Sequence, residues 1–285
     1  MQSIQTLPTS QTDSHPLAAQ IPKLSHKEAA ELARTELSCF ISLVESLDGE
    51  EWERPTMCTK WSVRDILAHQ AGAYESSASF AEFRRQGMGN PYMKEEKLPI
   101  DAINRRQVED REGRSPETLL NELRSAGPKA IANRQKLPGF LRAIPLINFG
   151  PPVGRAPLGY LTDNIMTRDT WSHRLDICVA TGREMVLSPE HDGRLTALVI
   201  LDLEKILRAV TRDGSFVLEL AGPAGGKWQF GKETPATTIT METLDFHIYA
   251  SDRATSEDMI VTGKVTFDGD TAFAKKMFEH FSVPY

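Results

Sequence analysis

The 285-residue sequence contains only three cysteines, Cys39, Cys58 and Cys178. An odd number at scattered spacings builds neither a disulfide framework nor a CxxC zinc or redox motif, so they read as reduced thiols. No apolar run approaches the ~18 residues that a bilayer-spanning helix needs, and residues 1–20 are polar without a hydrophobic h-region. A membrane span is not expected, and the expected location is the cytoplasm. Positive charge is also scarce: 33 Lys and Arg against 39 Asp and Glu give a net charge of −6. That balance argues against a general nucleic-acid binder, whose phosphate contacts need a basic surface. Gly (19) and Pro (17) are too few for a low-complexity chain. What the sequence does have, 40% hydrophobic and 25% charged residues, fits an ordinary globular protein long enough for about two domains.

Residues 1–24 carry Gln, Thr, Ser and Pro without periodicity and are expected to be a disordered, mobile tail. At Ser25 and Glu28 an S-x-x-E capping box opens a helix whose apolar residues recur at three-and-four spacing through Phe40 and Leu47. Ser62 and Asp65 form a second capping box, with Trp61 placed to staple onto Ile66. A third helix starts at Ser115-Pro116, and Gly127-Pro128 is expected to kink or end it. A fourth runs over 158–179 and stops at Gly182. These predict a four-helix bundle over residues 25–185. Beyond it, a helix from Ser188-Pro189, strands at 215–220, 227–230, 237–241 and 259–267, and a last helix over 270–281 predict a smaller α+β domain over 186–285.

Residues 123–162 hold six basic side chains and no acid, namely Arg124, Lys129, Arg134, Lys136, Arg142 and Arg155. This stretch reads either as a solvated basic face or as an anion-attracting rim and lid. The residues suited to chemistry lie on helices two and four. Asp169 and His173 stand at i, i+4, one turn apart on one face, and can share a metal. His69 lies three residues after Ile66, near the apolar stripe of helix two. Two His and one carboxylate from facing helices leave coordination positions open, as in catalytic rather than structural divalent-metal sites. Asp65 is explained by its cap, and Asp176 is open to pairing with Arg64 or Arg174. His191, His247 and His280 have no partner at ligand spacing.

Three stretches, WERPTMCTKWSVRDILAH at 52–69, RDTWSHRLD at 168–176 and the tail 244–283 with SDR at 251–253 and FDGD at 267–270, resemble the mycothiol-dependent maleylpyruvate isomerase family. The resemblance covers nearly the whole chain after residue 25. It implies a DinB-like metal-binding four-helix bundle followed by a sterol-carrier-like α+β domain. It also implies that His69, Asp169 and His173 bind a divalent metal, usually zinc, with Asp169 standing where the family pattern has Glu. Arg253 falls where the family places an active-site arginine from the second domain.

The function this implies is a divalent-metal-dependent isomerase or S-transferase. Its partners would be a low-molecular-weight thiol such as mycothiol and a small electrophilic, carboxylate-bearing substrate. The alternative is a non-catalytic binding protein in which the second domain and the apolar 140–160 loop enclose a ligand and the metal site is structural or vestigial. The sequence sets no oligomeric state.

Overall fold

The structure, a computed structural model, describes residues 15–145, 147–150, 153–208 and 214–285. Helix α1 (His26–Glu45) begins as expected: Ser25 Oγ accepts the Glu28 N–H at 3.2 Å and the Glu28 carboxylate accepts the Ser25 N–H. Helix α2 (Val63–Ala78) repeats the device with Ser62 and Asp65. Two helices not foreseen follow, α3 (Phe80–Gly87) and α4 (Pro99–Glu109). The first turns Phe80 and Phe83 outward, 75% and 59% exposed, and so has no buried apolar stripe to read. The second buries only Ala102 and Gln107.

Helix α5 (Pro116–Gln135) continues past Gly127-Pro128, which corrects the expectation that it could end there. Proline forfeits one backbone hydrogen bond, and here the buried Leu123, Ala126, Ala130 and Ile131 on either side hold the helix together. The glycine serves packing instead. A Cβ at position 127 would lie 2.5 Å from Leu37 Cδ2, so glycine lets α1 and α5 approach closely.

The basic connection is built from short pieces: α6 (Gly139–Arg142), an antiparallel pair β1 (Ile147–Asn148) and β2 (Arg155–Ala156), and α7 (Leu158–Tyr160). A wide π turn, Leu161–Ile165, then leads into α8 (Met166–Thr181), which Gly182 ends at φ +71°. The expected single helix from 158 is therefore interrupted one turn before Asp169. Such turns often mark functional positions.

Helix α9 (Asp192–Leu207) faces two ways. Leu195 and Leu198 pack with Leu32, Trp171 and Leu175 of the bundle, while Val199, Ile200, Leu203 and Leu207 pack against a sheet. That sheet contains β3 (Phe216–Ala221), β4 (Gly226–Phe230), β5 (Thr237–Glu242) and β6 (Val265–Gly269) in the order β4-β3-β5-β6. The β3/β5 pair is parallel and the other two are antiparallel. Helices α10 (Thr243–Ala250), α11 (Ser256–Val261) and α12 (Thr271–Phe278) complete it. The fourth strand begins at Val265 rather than at 259, because a capping box of Thr255 and Asp258 starts α11 first.

The helical N-terminal region followed by a small mixed-sheet unit is the fold class read from the sequence. The expected tail needs correcting. Residues 15–24 are ordered, with Ala18 fully buried in the sheet core and the Gln229 N–H donating to Pro16 O at 2.9 Å. The polar composition of the segment hides this small anchor at Leu17-Ala18. Residues 1–14 of that expected tail lie outside the described residues. Among the described residues no helix is long and apolar enough to cross a membrane.

Candidate metal centre

Helices α2 and α8 run antiparallel: Ser77 meets Met166, His69 meets Asp169, and Cys58, just before α2, meets Asp176. This register brings His69, Asp169 and His173 together with their donor atoms within 4.8 Å of one another. His69 Nε2 lies 3.3 Å from Asp169 Oδ2, and His173 Nε2 lies 3.4 Å from Oδ1. Both imidazoles are buried, whereas the Asp169 side chain keeps 24% of its surface. The Trp61 ring, 4.9 Å from His69 and 5.8 Å from His173 between centroids, forms an apolar wall. Burial disfavours charge here, yet the two imidazoles outweigh it and hold the Asp169 carboxyl well below the usual carboxylate range. His173 is raised well above the usual imidazole value, its own burial being overcome by Asp169. The Asp169 carboxylate and the His173 imidazole thus each stabilise the charged form of the other. Two imidazole nitrogens and one carboxylate oxygen are a donor set that fits zinc and similar divalent ions.

A further set of residues supports the trio. Asp176, fully buried, accepts from His173 Nδ1 at 2.8 Å, which turns Nε2 toward the other donors. Arg253, in the loop after α10, donates to both oxygens of Asp176, Nε to Oδ1 and Nη2 to Oδ2, each at 2.7 Å. Burial pushes the Asp176 carboxyl up, but the bonds from His173 and Arg253 prevail and bring it down to about 2. Cys58 Sγ sits 3.5 Å from Asp176 Oδ2, and Arg253 Nη2 also reaches Ser172 Oγ at 3.3 Å. Gln70 Nε2 donates to Asp169 Oδ2 at 2.6 Å. By contrast, His69 Nδ1 is buried without a hydrogen-bond partner among the described residues.

The structure thus brings all four expected site residues, His69, Asp169, His173 and Arg253, into one cluster. Asp65 remains in its cap. Asp176 pairs with Arg253 rather than with Arg64 or Arg174; Arg64 donates to the Arg111 and Arg114 carbonyls, and Arg174 pairs with Glu36 and Asp192. Sequence reasoning missed Cys58 and Gln70, whose roles depend on the register between α2 and α8. The basic stretch is neutralised in part: Arg124 pairs with Glu45 and Arg142 with Asp163, Arg134 is buried with its guanidinium over the Tyr74 ring, and Lys129, Lys136 and Arg155 are exposed. Arg142, bound to Asp163, is accordingly not a free cation of such a rim.

Comparison with known proteins places the chain in a family. The family model described as the mycothiol maleylpyruvate isomerase N-terminal domain matches residues 33–178, a span that contains all three donors. Two uncharacterized proteins of Mycobacterium tuberculosis, from strains CDC 1551 / Oshkosh and ATCC 25618 / H37Rv, are each 28% identical over 243 residues, 77% of this chain and 83% of theirs. Crystal structures of the mycothiol-dependent maleylpyruvate isomerase and of a histidine-to-alanine mutant share the fold. The TM-scores are 0.53 and 0.54 at 14% and 13% identity, over 86% of this chain and 93% of those. With a match over just over half its length that takes in the whole donor trio, the chain belongs to the family defined by the mycothiol maleylpyruvate isomerase N-terminal domain.

Proposed function

We propose that the protein is a divalent-metal-dependent isomerase or S-transferase of the cytoplasm. It would use a low-molecular-weight thiol, such as mycothiol, on a small electrophilic carboxylate. The observation that carries this reading is the convergence of His69, Asp169 and His173 on one point, with the carboxylate alone partly exposed. These three residues would hold the cation. A bound divalent ion supplies one thing, a thiol pKa below its free value of roughly 8.5, and with it a thiolate near neutral pH.

The chain's own residues do the rest. Asp176 keeps a proton on His173 Nδ1 and so directs Nε2 at the trio, where a bound cation would take the place of the Nε2 proton. Arg253 balances the charge of Asp176 and ties the second domain to the site. Trp61 shields the imidazoles from water. A thiolate that adds to the substrate double bond allows rotation about the resulting single bond; elimination then gives isomerisation, and retention of the adduct gives S-transfer.

The non-catalytic alternative is not favoured, since Tyr160 of the apolar loop is tied to Asp202 of α9 rather than to a ligand cavity at the trio. The test is turnover of an electrophilic alkene acid by the full chain with a panel of thiols. Activity that needs a thiol and disappears with a chelator supports the proposal. Thiol-dependent turnover indifferent to the chelator, or none with any thiol, refutes it.

A further inference from the structure

Adjacent residues on the two facing helices form a second, unassigned connection. Gln70 follows His69 on α2, and Thr170 follows Asp169 on α8. Gln70 is completely buried. A carboxylate only accepts, so the Gln70 amide nitrogen faces Asp169 Oδ2, at 2.6 Å, and its carbonyl oxygen accepts from Thr170 Oγ1 at 2.9 Å. Having given its proton to Gln70, Thr170 Oγ1 accepts from the Tyr74 hydroxyl at 3.2 Å, although Met166 O at 3.0 Å competes for the threonine proton. Tyr74 is itself buried. The run Tyr74 to Thr170 to Gln70 to Asp169 is thus donor to acceptor in one direction and ends on a carboxylate, where such bonds are strongest.

We propose that Gln70 sets metal selectivity by occupying Asp169 Oδ2, so that Oδ1 alone is offered to the cation, with Thr170 and Tyr74 acting only through Gln70. This rests on the reading of the trio as a cation site. Aspartate is short and turns freely about its last torsion unless something holds it. Held by Gln70, it gives one oxygen beside two imidazoles, which suits zinc with its four ligands. Released, it can offer both oxygens, which suits ions that take more oxygen ligands. Gln70 is a positioning residue, and its effect is read in metal binding rather than in turnover.

The experiment uses full-length protein stripped of metal, with Zn2+ and Mn2+ affinities measured separately by competition with a chromophoric chelator. The proteins are wild type, Gln70→Leu, Thr170→Val, Tyr74→Phe and the Gln70→Leu/Thr170→Val double variant. Gln70→Leu is expected to lower zinc affinity by about 10- to 100-fold and manganese affinity less, narrowing the zinc preference. Thr170→Val and Tyr74→Phe, which preserve shape and keep the test open if Gln70→Leu does not fold, are expected to narrow it in the same direction by smaller factors. The double variant is expected to match Gln70→Leu alone, because Thr170 has no separate route to Asp169. Unchanged zinc affinity and selectivity in Gln70→Leu, unchanged selectivity in Thr170→Val, or additive losses in the double variant overturn the inference. A wild type that binds neither ion overturns the cation reading and this inference together, which separates the two failures.

Discussion

Replacing Arg253 with methionine probes both the site and the junction between the helical region and the sheet unit. Arg253 is the only arginine or lysine donating to Asp176 among the described residues, and it does so through two bonds of 2.7 Å, with Asp176 fully buried. Removing one partner of such a pair strands a charge in a poorly solvated interior, at a cost of about 3–5 kcal/mol. At about 2–4 °C per kcal/mol for domains of this size, the melting temperature is expected to fall by about 6–20 °C. The stranded carboxylate would then tend to take up a proton, and His173 Nδ1 would lose its ionised acceptor. Metal affinity is therefore expected to fall by about 10- to 100-fold as well. Adding Asp176→Asn removes the stranded charge while leaving a carbonyl for His173, so the double variant is expected to recover most of the lost melting temperature but not the turnover. Differential scanning calorimetry and chelator competition on the full chain read both effects. An Arg253→Met protein that melts within about 2 °C of wild type, when surface substitutions usually stay within about 0.5 kcal/mol, and holds metal equally well would refute the reasoning.

Other consequences concern the scaffold. His247 lies between Trp171 and Tyr285, with Nδ1 2.6 Å from the Tyr285 hydroxyl and Nε2 2.9 Å from Thr196 Oγ1; burial, reinforced by the charge of Arg168, pushes it down to about 3. The unfolded chain binds this proton below the ordinary value of about 6.5 while the folded chain does not. Stability is therefore complete above that pH and falls by about 1.4 kcal/mol per unit toward about 3. Urea unfolding at pH 7 and 5.5 is expected to show this slope in wild type and a shallower one in His247→Asn; equal slopes would exclude the assignment. Gly127→Ala is expected to cost about 1–3 kcal/mol by forcing Leu37 aside, and less when combined with Leu37→Ala. Strict additivity in equilibrium unfolding would show that the two do not touch. Arg142→Gln, which leaves the buried Asp163 without its arginine, is expected to lower thermal stability measurably, whereas Arg155→Gln, at an exposed position, is expected to stay within about 0.5 kcal/mol of wild type.

What the sequence discloses follows from range. Capping boxes at Ser25 and Ser62 are complete within four residues, and the helices they start stand where the spacing puts them. The Asp169/His173 pair is likewise a matter of one helical turn. Its union with His69, 100 residues away, follows from helix register, and the sequence pointed to it through the place of His69 near the apolar stripe of helix two and through resemblance to a family. Gln70 and Cys58 depend on the same register and carried no local mark. Arg124 and Arg142 looked unopposed because their partners fall outside the acid-free stretch: Glu45 lies on α1, and Asp163 stands one residue past its end. Helix α3 escaped notice because its phenylalanines face outward, leaving no stripe for periodicity to reveal. Pro128 was misread because the breaking tendency of proline is local, while the packing that overrides it comes from both flanking turns and from Leu37 of α1.

Metal content decides whether the trio is what its geometry indicates. Full-length wild type, His69→Ala, Asp169→Ala and His173→Ala, each loaded with zinc and dialysed, are compared by inductively coupled plasma mass spectrometry, with circular dichroism confirming that each is folded. About one equivalent of metal is expected in wild type and little in any of the three variants. Equal metal in all four proteins, or none in wild type, would contradict a divalent-cation site at His69, Asp169 and His173.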